Sequence, residues 1–149
     1  MNMHAPIDAA PPGRRFERLA DFLVEAAARP FIYGECDCAL MPADWCLAET
    51  GIDPAERLRG RYDSEAGWRD IAIRAGGLVE LWSRLCGEYG LVETATPVTG
   101  DVGLVILRRI GMFGAVRGGP RWLVKLAAGI VGGDLMCVKS WRLPPCHKQ

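Results

Sequence analysis

Only two histidines occur among the 149 residues, His4 and His147, and both fall in segments that read as terminal arms. No stretch patterned as a helix or strand therefore carries an imidazole, the side chain most used to move protons near neutral pH. Net charge is missing too: 18 Lys and Arg balance 18 Asp and Glu. A chain without charge excess has no electrostatic footprint for nucleic acid or an anionic membrane. Arg57, Arg59 and Arg61, and the pair Arg108-Arg109, are runs too short for a binding groove, and the first three read as solvated or loop-anchoring. No apolar run is long enough to cross a bilayer, since the weakly polar stretch 122–131 is short and contains Lys125. Residues 1–13 lack the charged, apolar, small-residue order of a signal peptide.

The six cysteines (Cys36, Cys38, Cys46, Cys86, Cys137 and Cys146) lack regular spacing. That argues against a secreted disulfide scaffold and for free thiols made in a reducing cytosol. Cys36 and Cys38 are one residue apart, closer than the usual paired ligands of structural zinc. A metal or cluster site would have to combine them with Cys137 and with Cys146 or His147; neither metal nor cofactor is expected. Cys46 and Cys86 read as core, as do the five tryptophans, or as interface residues.

Half the residues are hydrophobic and 24% are charged, which fits an arm over 1–13 and one soluble globular domain over 14–149. The chain is organised around Pro30-Phe31-Ile32-Tyr33-Gly34-Glu35-Cys36-Asp37-Cys38-Ala39-Leu40. Here an aromatic extended segment ends at glycine and an acid-cysteine pair opens an apolar helix. Asp37 suits a helix cap, and Cys38 would lie at the helix start, where free N–H groups and the dipole lower a thiol's pKa. A small buried hydrophobe would show the same pattern.

Three- and four-residue apolar spacing predicts helices over 14–29, 38–49, 64–75 and 78–89, with a short helical turn after Asp53-Pro54. Pro42, lying beyond the first turn of the second helix, is expected to remove a backbone bond and kink its start. After Gly100-Asp101 the texture becomes β, with strands predicted over 102–107, 112–116, 121–126 and 135–142. The stretch 122–131 is either a strand pair or an exposed docking segment. Helices first and strands after predict an α+β fold with N-terminal helices packed on a C-terminal antiparallel sheet.

Pro30-Phe31-Ile32-Tyr33-Gly34, then Asp37-Cys38, then Gly100-Asp101-Val102 opening a strand, resembles the NlpC/P60 superfamily of papain-like cysteine peptidases. With Ala39-Leu40, Thr50-Gly51-Ile52-Asp53-Pro54 and Leu58-Arg59-Gly60-Arg61-Tyr62, the span 19–105 is similar to small NlpC/P60-like proteins of tailed bacteriophages and gene transfer agents. The resemblance implies a papain-like core that cleaves peptide bonds of peptidoglycan, with Cys38 as the nucleophile. It also implies a histidine on the second strand, the one after the strand that Gly100-Asp101 opens, where this sequence has Met112 or Phe113. Loss of one member of such a set can cost on the order of a millionfold in rate.

The expectation is a degenerate NlpC/P60 fold serving as a structural or assembly component of a phage-type tail tip or baseplate. It would reside in the virion, bind other tail-tip or hub proteins and meet peptidoglycan during DNA delivery, without nucleic acid or membrane insertion. The alternatives are an active peptidase or amidase built on Cys38 and a cysteine-rich metal- or cluster-binding protein.

Overall fold

A computed structural model describes residues 12–145. Four helices come first: α1 (Pro12–Ala28), α2 (Leu40–Thr50), α3 (Glu65–Arg74) and α4 (Leu78–Glu88). Six strands follow: β1 (Val92–Glu93), β2 (Val102–Leu107), β3 (Gly111–Gly118), β4 (Arg121–Leu126), β5 (Gly129–Gly133) and β6 (Met136–Arg142). They form one antiparallel sheet in the order β1-β6-β2-β3-β4-β5. The α+β class is the expected one, and each of the four longer strands lies within a residue or two of its predicted place. None of the described helices is long and apolar enough to cross a membrane.

The starts of α3 and α2 follow from local sequence. Ser64 accepts the Gly67 N–H at 3.0 Å and so opens α3. α2 begins at Leu40, two residues later than the periodicity suggests, so Cys38 precedes the helix. That shift corrects the expectation for Pro42. It becomes the third helical residue, where the missing N–H has no intrahelical partner to lose, and the helix runs on to Thr50. The predicted helical turn after Asp53 is a run of turns, with Asp53 accepting the Ala55 N–H at 3.0 Å. Arg59 anchors that loop through ion pairs to Asp53 (2.7 Å) and Asp44 (2.8 Å).

The sheet is packed on both faces. Toward the helices, Val102, Leu104, Val116 and Trp141 meet Leu19, Met41, Trp45 and Trp82. A second cluster joins Val105, Leu107, Ala115, Trp122 and Val124, with the half-buried Cys137 against it. Buried polar groups tie α1 in place. Glu49 on α2 accepts hydrogen bonds from Arg15 and Arg18 at 2.6–2.8 Å. Lys125 on β4, 1% exposed, donates to the Ala26 and Arg29 carbonyls at the C-terminal end of α1. The stretch 122–131 resolves as the strand pair, β4 with β5.

Candidate functional site

The acid-cysteine pair sits in a tight loop between α1 and α2. Ile32 and Cys36 exchange two backbone hydrogen bonds of 2.8 Å, which fold the segment back on itself. Gly34 closes the turn at φ +85°, and a Cβ here would overlap the Tyr62 carbonyl oxygen, so only glycine fits. Asp37 is 1% exposed and accepts four hydrogen bonds. Its Oδ1 takes the N–H groups of Ala39 (3.0 Å) and Leu40 (2.9 Å), which caps α2 as expected. Its Oδ2 takes the Gly34 N–H (2.9 Å) and the Tyr62 hydroxyl (2.6 Å). Asp37 is thus fixed as an organiser of the loop.

Cys38 follows this carboxylate and faces a cleft of about 280 Å³. The cleft is lined by Tyr33 from the loop, by Glu65, Trp68 and Arg69 from α3, and by Met112 and Phe113 from β3. The two β3 residues at the expected histidine position therefore do meet the thiol's cleft. Neither can accept or deliver a proton. The loop and the strand are held together closely: a Cβ on Gly114 would lie 3.0 Å from the Cys38 carbonyl oxygen and 2.5 Å from the Trp82 ring.

The electrostatics oppose a thiolate. Burial, then the neighbouring Asp37 charge, push the Cys38 thiol up to about 12, whereas its place at a helix start suggested a lowered value. The backbone N–H groups of Cys38 and Ala39 favour the thiolate, but burial and the Asp37 charge outweigh them. Burial also raises the Cys36 thiol. His4, His147 and Cys146 lie outside the described residues. No group of three or more His, Cys, Asp or Glu suited to a metal ion occurs among the described residues. Cys46 and Cys86 are buried, as expected of core residues, and line a small apolar cavity of about 30 Å³.

Two features of this site were not singled out in the sequence. Tyr62 lies 25 positions after Asp37, and its buried hydroxyl completes the carboxylate's shell. Glu65, Trp68 and Arg69 form the outer wall because α3 lies over the cleft, a placement that helical periodicity does not encode. Asp101 of the Gly100-Asp101 pair is wholly buried and structural: its carboxylate accepts from the Val98 N–H at 2.8 Å and pairs with Arg142 at 3.1 Å.

No curated protein and no solved structure matches the chain. A family model does, over residues 14–143, and the chain belongs to that family, described as Domain of unknown function (DUF6950).

Proposed function

We propose that this chain is a catalytically silent NlpC/P60-like domain that works as a structural or assembly component of a phage-type tail tip or baseplate. The observation that carries the silent reading is the wall opposite Cys38, where Met112 and Phe113 stand in place of a base. With its thiol pushed up to about 12, Cys38 stays protonated at pH 8. Attack on an amide needs a thiolate and a group to protonate the leaving amine. Among the described residues the cleft offers no imidazole, and its one carboxylate, Glu65, is paired with Arg69 at the exposed rim. The tail-tip role rests on the resemblance of residues 19–105, and it would place the protein in the virion beside hub proteins and peptidoglycan.

Alkylation of the full chain and of Cys38→Ala, followed by mass spectrometry across pH, tests the chemistry. Slow labelling of Cys38 below about pH 10 is expected, together with no cleavage of peptidoglycan peptides. Fast labelling at neutral pH, or cleavage that Cys38→Ala abolishes, would overturn the reading. In a particle-producing host, Cys38→Ala should support normal DNA delivery while deletion of the chain should not. Normal particles without the chain would remove the tail role.

A further inference from the structure

We infer that the Cys38 cleft is a recognition site for an organic cation of the trimethylammonium type, held on aromatic faces. The inference rests on the non-catalytic reading above. Three half-buried rings line the cleft from three separate parts of the chain: Tyr33 from the loop, Trp68 from α3 and Phe113 from β3. Met112, next to Phe113 on β3, also borders the cleft. Rings clustered around a small open space suit a weakly hydrated cation, which the negative ring faces attract. A trimethylammonium group needs no hydrogen-bond acceptors, unlike a metal ion or a primary amine.

The charges nearby have the matching sign. Asp37 lies behind the cleft with donors on both oxygens, but those donors are N–H and O–H dipoles, and among the described residues no cationic side chain pairs with it. Glu65 stands at the mouth. The Tyr33 phenol is pushed above its ordinary value by burial and then by Glu65, Cys38 and Asp37, with Arg69 opposing them least. Of the groups charged near neutral pH, Glu65 and Asp37 outweigh Arg69 at this ring. The Glu65–Arg69 pair, 2.8 Å long, has both side chains more than 60% exposed, so exchanging Arg69 for a bound cation costs little. A cleft of about 280 Å³ has room for a small headgroup.

The test is calorimetric titration of the full chain with choline and with its neutral carbon isostere, 3,3-dimethylbutan-1-ol. Choline should bind, and the isostere should bind about tenfold more weakly or worse. Equal affinities, or no binding of choline, would overturn the assignment. Phe113→Leu keeps an apolar wall but removes a ring. Glu65→Gln removes a charge at an exposed position that the fold tolerates. Each should weaken choline severalfold, Glu65→Gln without changing the isostere, and a choline affinity untouched by both would also overturn it. Sedimentation with phosphatidylcholine and phosphatidylglycerol vesicles separates the sources. Choline-competed binding to the first alone identifies a lipid headgroup, and choline binding without sedimentation identifies a free cation. Failure with choline leaves the non-catalytic reading standing, because alkylation and peptide cleavage decide that reading independently.

Discussion

At the scale of the residue, the chain is arranged around Asp37 more than around Cys38. Its carboxylate unites the loop, the start of α2 and Tyr62 with four bonds of 2.6–3.0 Å. Asparagine is nearly the same size but has one acceptor oxygen. If that oxygen keeps the Ala39 and Leu40 N–H groups, the amide nitrogen is left facing the Gly34 N–H, donor against donor. Asp37→Asn should therefore destabilise the protein by about 1–3 kcal/mol, as a lower urea midpoint with an unchanged slope. Substituting Cys38 by Ala removes only one small buried side chain and should cost less. The cap was legible in the sequence because Asp before an apolar helix has a local physical meaning. The thiol's raised pKa was not, because it depends on burial by α3 and β3, elements that lie far along the chain.

At the scale of the element, the site exists because α2 begins hard against β3. Gly114 allows that approach, pairing with Leu104 on β2 while the Cys38 carbonyl and the Trp82 ring occupy the space a side chain would need. Gly114→Ala should cost about 1–3 kcal/mol by overpacking. It should also speed hydrogen exchange at Leu40 and Met41, the first amides of α2, more than at the far end of that helix. Uniform faster exchange, or no change, would show that this contact does not seat the helix. Long elements were readable, since four helices and four strands carry periodic apolar patterns. β1 escaped because it is two residues long, and the glycine-rich β5 gives no alternation strong enough to separate it from a loop. Even the correct elements do not say which helix covers which strand, and that placement builds the cleft.

At the scale of the whole molecule, the buried ionisable groups predict a stability that falls on both sides of neutrality. On the acid side the group is Glu49. Burial alone would raise its carboxyl, but hydrogen bonds from Arg18 and Arg15 outweigh burial and hold it below the ordinary value. A group with a lower pKa folded than unfolded gives stability that is complete above the unfolded value, about 4.3, and is lost as pH falls through the folded one. On the alkaline side the groups are thiols. Burial pushes Cys38 and Cys86 up to about 12 and raises Cys46 as well. Here the unfolded chain gives up its protons first, so stability falls once pH passes the ordinary thiol range. The loss should be about 2 kcal/mol for each fully buried thiol between about pH 8 and pH 10. Urea midpoints across pH under reducing conditions measure both limbs. Glu49→Gln should flatten the acid limb while lowering the plateau, because Arg15 and Arg18 lose a charged partner. Cys86→Ala should make the alkaline limb shallower and leave the acid limb unchanged. An alkaline limb unaffected by Cys86→Ala would mean that this thiol reaches solvent more readily than its place in the core allows, and with it that α4 opens locally from the sheet.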